Sequence, residues 1–354
     1  MRLGRAMDTW TRMGLAAVLA VASAAGLWLT FGGSSTPPLR PGWSILRPPD
    51  DVNALVLHAG RVVAGGRDGL HAFDAATAAP LAAPTAGIDP AALPTLAYVK
   101  ALAVDRAGRL WIGHRGGVLR LDGGGAFTAF AADPGRAPGP VGAFVEAATG
   151  EMFVGGEAGL AVLSDGTLEP VALPDTGAGT AVTALHEDRR GRLWVGLASA
   201  GRGGLLLRDA GIWRGFGAAD GLAHPAVNAI AEDPAGRILV ATGFSGRGGA
   251  CREAADGVLP RWTCIGLREG LASDMVRLFR ADRRGRFWYG SEFDGTVVAT
   301  AAGLRRLGRD DGQAGTELKA MLEDAAGNLW LGCDKGLTRI DADASAALDR
   351  EERP

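Results

Sequence analysis

Charge imbalance, cysteine, histidine and long apolar runs are all scarce in this chain, and each scarcity removes a class of function. Lys and Arg number 37 against 39 Asp and Glu, a net charge of −2. No global field therefore draws the protein towards nucleic acid. The 3 cysteines form no zinc signature, and the sequence has neither a serine elbow nor a phosphate loop. The 5 histidines (His58, His71, His114, His186, His224) are scattered without common spacing. No cofactor or metal is expected on these grounds.

Only one apolar run is long. Residues 1–12 are short and basic, and 13–31 are uncharged and apolar, near the ~20 residues that span a bilayer. The positive flank keeps the N-terminus cytoplasmic and sends the rest across. A transmembrane signal anchor is expected at 13–31, with a cleavable signal peptide as the competitor through Ala22-Ser23-Ala24. Both readings put the remainder outside the cytoplasm, in the periplasm or beyond. Residues 32–41 read as a Gly/Ser/Pro linker, 42–342 as the folded body, and 343–354 as a polar tail that frays.

What the chain has in quantity is repetition. The pattern V-x-A-L/I-x-x-D-x-x-G-x-L-W-V-G recurs from Val52, Val99, Val141, Val182, Val227, Val276 and Leu318. The copies lie about 41–49 residues apart, the length of a four-stranded propeller blade. The best copy, Ala181 to Phe216, reads as four short strands joined by turns. Asp188 and Gly191 occupy the first and fourth places of a type I turn. Trp111, Trp194, Trp288 and Trp330 share one column of the second strand, with Phe153, Leu239 and Val63 in the other copies. The last repeat stops after its third strand, and an extra strand around Trp43 precedes the first. The chain is therefore expected to be an all-β, seven-bladed propeller whose N-terminal strand completes the last blade and closes the ring.

The E-D-x-x-G-x-L-W-V-G core, the Gly-Gly-Leu that follows it, and linkers such as Asp220-Gly-Leu222 resemble the two-component-regulator propeller repeat. The resemblance covers roughly 42–341. It implies the extracytoplasmic ligand-sensing domain of a bacterial membrane sensor. Nothing after Ile340 reads as a second span, a kinase or a DNA-binding domain, so the output is expected in another protein.

Propellers bind ligands at the mouth of the central channel, and the residue after each opening Val should lie there. These are Asn53, Lys100, Gly142, Thr183, Asn228, Arg277 and Lys319; six of the seven are polar within an apolar setting. They line either a ligand site or simply a wet channel. The loops between second and third strands add His114, Arg115, Arg202, Arg247, Glu292 and Lys335. Two of these loops, 199–204 and 244–249, are long and glycine-rich and carry the Arg. Cations outnumber anions among these residues, which motivates an anionic or carbohydrate-like small ligand. The turn residues Asp105, Asp188, Asp233, Asp282 and Asp324 recur at one offset before Gly, which is turn chemistry. Glu187, Glu232 and Glu323 are read as structural with them. Cys251 and Cys264 fall on adjacent strands of one blade, giving either a disulfide or two buried thiols; Cys333 stands apart.

Three functions stay open on the sequence. The leading one is a non-enzymatic sensor that relays to a membrane or periplasmic signalling protein. A periplasmic protein-interaction scaffold is the second, and a lactonase- or lyase-type propeller enzyme the third.

Overall fold

The computed structural model describes residues 39–350, apart from 90, 92–93, 132–138, 165, 175–179, 199–203 and 256–260. They form seven four-stranded antiparallel sheets. Six sheets are simple meanders over 54–81, 101–131, 141–171, 182–216, 227–265 and 276–307. The seventh takes three strands from 318–340 and its fourth from Trp43–Leu46. That strand runs antiparallel to Gly336–Ile340, with Trp43 opposite Ile340 and Leu46 opposite Leu337. Neighbouring blades pack through their first strands, and those of blades 7 and 1 also touch.

Each letter of the repeat has a physical task. The second-strand tryptophans are 0% exposed and fill the space between sheets. Their indole N–H groups donate to the turn aspartate six residues earlier: Trp194 to Asp188 at 2.8 Å, Trp330 to Asp324 at 2.9 Å. The same carboxylate accepts the backbone N–H and the Nε of Arg192. The glycine ending the second strand permits close approach: a Cβ on Gly196 would meet Val227 Cγ1 at 2.5 Å, and one on Gly332 would meet Val52 Cγ1 at 2.6 Å. Blade 7 thus meets blade 1 through the same contact that joins blade 4 to blade 5.

The glutamates before the turn aspartates latch one blade to the next. Glu187 accepts the backbone N–H of Ala148, Glu232 that of Arg189, and Glu323 that of Arg283.

The expected fraying tail is a correction. Ala342–Ala347 forms a short helix, and Ser345 and Leu348 are 1% and 2% exposed. Leu348 joins the apolar cluster around Trp43 and Trp288, while Arg286 Nη2 donates to Ser345 Oγ at 2.6 Å. The tail is held by Leu348, with Ala344 packed against the same cluster, and by Arg286, which also approaches Asp349 at 3.6 Å. Among the described residues no helix is long and apolar enough to cross a membrane. The apolar run 13–31 lies outside them.

Candidate functional site

The first strands of all seven blades surround a central cavity of about 810 Å³. Asn53, Lys100, Gly142, Thr183, Asn228, Arg277 and Lys319 all line it. In blades 3 to 7 the ladder slips by one residue at this position, as between Val182 and Ala184. The extra residue of that bulge escapes the usual alternation, which is how a polar column stands among apolar neighbours.

The neutral members of the column act between blades. Asn53 Nδ2 donates to Val99 O at 3.1 Å, Thr183 Oγ1 lies 2.6 Å from Val227 O, and Asn228 Nδ2 donates to Val276 O at 2.8 Å. Each reaches the opening valine of the next blade, so these groups tie neighbouring blades together.

The cationic members are paired. Lys319 Nζ stands 2.6 Å from Asp51 Oδ1 and 3.6 Å from Glu317 Oε2. Arg277 Nη2 stands 2.6 Å from Glu292 Oε1, and its Nε 3.5 Å from Glu317 Oε1. Lys100 Nζ is 3.4 Å from Glu157 Oε1. Three of the lining cations are therefore matched by carboxylates, while Arg67 and Arg280 also line the cavity and leave Lys and Arg in excess of Asp and Glu there. Asp51, Glu157 and Glu317, missed in the sequence, come from the connections between blades and between strands, which carry no repeat signal. Burial raises the Glu317 carboxyl above its ordinary range, with Glu292 and Asp334 adding to the rise against Lys319 and Arg277.

The loop candidates disperse. His114 is 2% exposed, turned onto its own hairpin, where its Nδ1 accepts the Gly116 N–H at 3.1 Å. Burial lowers its pKa, and it does not reach the cavity. Arg115 is exposed and away from the cavity. Arg247 is not on a long loop: Ile238–Phe244 and Arg247–Glu253 are joined by Ser245-Gly246 alone, both at positive φ. Two residues in that conformation make a tight hairpin, and Arg247 pairs across it with Phe244. Lys335 is exposed at a depression of about 570 Å³ with Arg47, Asp68 and Arg309, which shares Asp51 and Arg67 with the central cavity. Arg202 lies outside the described residues. Cys251 and Cys264 face each other in register and are disulfide-linked, Cα atoms 4.0 Å apart; Cys333 is buried and free. Among the described residues no group of three or more His, Cys, Asp or Glu gathers as a metal site.

Deeper in the channel the cavity is lined by two groups that sequence reasoning passed over, His186 and Arg280. Burial lowers the His186 pKa against the raising charges of Glu232 and Asp188.

Residues 176–198 match the family model described as "Two component regulator propeller". The extracellular domain assigned to a hybrid two component system of B. thetaiotaomicron superposes with a TM-score of 0.72 at 16% identity, covering 90% of this chain and 43% of that one. A second such domain from the same organism, assigned to a one component system, gives 0.65 at 14% identity over 85% and 40%. Virginiamycin B lyase from Staphylococcus aureus gives 0.64 at 12% identity over 84% and 98%. At these identities the likeness is one of fold. The chain spans about two-fifths of the length of these two extracellular domains. No curated protein matches it in sequence. The chain is a seven-bladed β-propeller, and one stretch of it, residues 176–198, matches the two-component-regulator propeller model.

Proposed function

We propose that this propeller is a non-enzymatic recognition domain, exposed outside the cytoplasm, that takes a small polar ligand at its channel mouth. The observation that carries this reading is the convergence of seven equivalent column residues, one from each blade, on one cavity of about 810 Å³. Its walls offer hydrogen-bonding groups, three cation–carboxylate pairs and two further arginines, a surface suited to a hydroxylated ligand. The ring bearing it is, on this reading, held closed by the strand Trp43–Leu46. The apolar run 13–31 anchors the protein in the membrane, and a separate signalling protein receives the output. The sensor-domain neighbours support the assignment by fold.

An enzymatic reading has less support. The lyase resemblance is distant; His114 is buried away from the cavity, and His186, which lines it with its Nε2 3.8 Å from Glu232 Oε2, is the group an enzymatic reading would have to use.

The test is a melting series on the purified chain with sugars, uronic acids, organic acids and divalent cations. A ligand that binds the native state raises the midpoint by mass action. A saturable rise with a sugar or sugar acid, weakened in Asn53→Ala or Lys319→Ala, is expected. Silence across the series overturns the reading in favour of a protein-binding platform, and a response to Ca²⁺ alone moves it towards a metal-dependent enzyme.

A further inference from the structure

Arg280 lies on the first strand of blade 6, opposite Trp288. The equivalent position in the other blades holds Val56, Ala103, Val145, His186, Ala231 and Leu322. Five of those six are apolar, so a guanidinium here is a singular departure from the repeat. Arg280 borders both the central cavity and a second cavity of about 390 Å³ among the turns of the opposite face. It therefore stands where the channel passes from one to the other.

Its neighbours are already matched. Arg189 is paired with Glu232 at 2.8 Å and Arg283 with Glu323 at 3.2 Å. Arg280 donates one bond from Nη1 to Met321 O at 2.9 Å and has no carboxylate within ion-pair distance among the described residues. The nearby His186 cannot serve as a counter-charge. Arginine stays protonated in proteins. The side chain is exposed within the channel, so its remaining N–H donors are open to an anion, which a guanidinium holds in its fork geometry.

We propose that Arg280 is an anion site inside the channel and takes the carboxylate of the bound ligand. In depth this rests on the channel-ligand reading above: the hydroxylated body of a sugar acid occupies the mouth while its carboxylate points inward to Arg280. Discrimination of acidic from neutral sugars inside the channel then belongs to Arg280, since Lys100, Arg277 and Lys319 are each paired with carboxylates and Arg67, the other lining cation, lies over the Tyr98 ring.

The experiment compares the melting of the full chain in galacturonate, galactose and acetate, for the native protein, Arg280→Met and Arg280→Lys. Galacturonate is expected to raise the native midpoint by about 2 °C or more at saturation, with a smaller rise in acetate. Both rises should vanish in Arg280→Met and partly persist in Arg280→Lys. Without ligand, Arg280→Met should melt no lower than the native protein, since only one hydrogen bond is lost. A galacturonate rise that survives Arg280→Met overturns the anion site and leaves the mouth reading standing. An acetate response lost in Arg280→Met, with no response to either sugar, keeps the anion site and defeats the sugar reading. No response to any of the three overturns both.

Discussion

Lys319 in the last blade holds its Nζ 2.6 Å from Oδ1 of Asp51, in the segment that leads into the first blade. The two residues are 268 apart in sequence, and their side chains are 22% and 9% exposed. The pair thus joins the last blade to the first at the rim of the central cavity. Backbone contact supports it, since Val52 N donates to Cys333 O at 3.0 Å.

A double-mutant cycle of Asp51→Asn and Lys319→Met should give a coupling of about 1–2 kcal/mol in urea unfolding. Each single change should cost more than the pair changed together, because it strands a half-buried charge. Additive effects would show that the pair is a solvated contact without a role at the junction.

The strand Trp43–Leu46 is expected to hold the ring shut. Trp43 is 6% exposed and packs with Leu307, Leu318 and Ile340, so Trp43→Ala should destabilise by about 3–5 kcal/mol. A loss below about 1 kcal/mol in chemical unfolding would mean that the first strand is dispensable to the ring.

Acid stability should be governed partly by the turn aspartates. For Asp188, burial pushes the pKa up, but the bonds from Trp194 and Arg192 together with the Arg192 charge outweigh it and hold the pKa below 3.8. Asp105 and Asp324 are lowered in the same manner. A group with a depressed folded pKa stabilises fully above its unfolded value, and that stabilisation is lost as pH falls through the folded one. The unfolding free energy should therefore fall most steeply below about pH 4. In Asp188→Asn that part of the slope should be shallower, and stability at pH 7 lower by about 1–3 kcal/mol. An unchanged acid slope in the variant would remove Asp188 from the account.

Export predicts the redox state of the protein. With Cys251 and Cys264 joined and Cys333 buried, thiol labelling of the unfolded, unreduced protein taken from cells should modify one cysteine, and three after reduction. Three reactive thiols without reduction would place the propeller in a reducing compartment and remove the extracytoplasmic part of the proposed function.

Deletion of the tail from Ala342 onward should destabilise the fold, since it removes Leu348 from the cluster around Trp43 and strips Arg286 of Ser345. Leu348→Ala alone should cost about 2–4 kcal/mol in thermal or urea unfolding. A midpoint equal to that of the native chain would return the tail to a passive role.

The sequence by itself determined the blade count, the strand order within each blade and the column of residues that meets the channel. These follow from short-range chemistry repeated seven times: Asp188 with Gly191 makes a turn, Trp194 fills a sheet interface, and Gly196 admits Val227. A periodic chain has to place equivalent residues equivalently, so Asn53, Thr183 and Lys319 were bound to reach one rim. Only the tertiary structure decided what those residues meet there. Lys319 finds Asp51, Arg277 finds Glu292 and Glu317, and Lys100 finds Glu157. The partners lie in connecting segments with no repeat to betray them, and a charge interacts with whatever the fold brings near, whatever the sequence distance. The same holds for Arg280, a departure from the apolar column whose lack of a carboxylate is visible only with the neighbouring blades in place, and for Leu348, the one large apolar residue in the tail after Asp341.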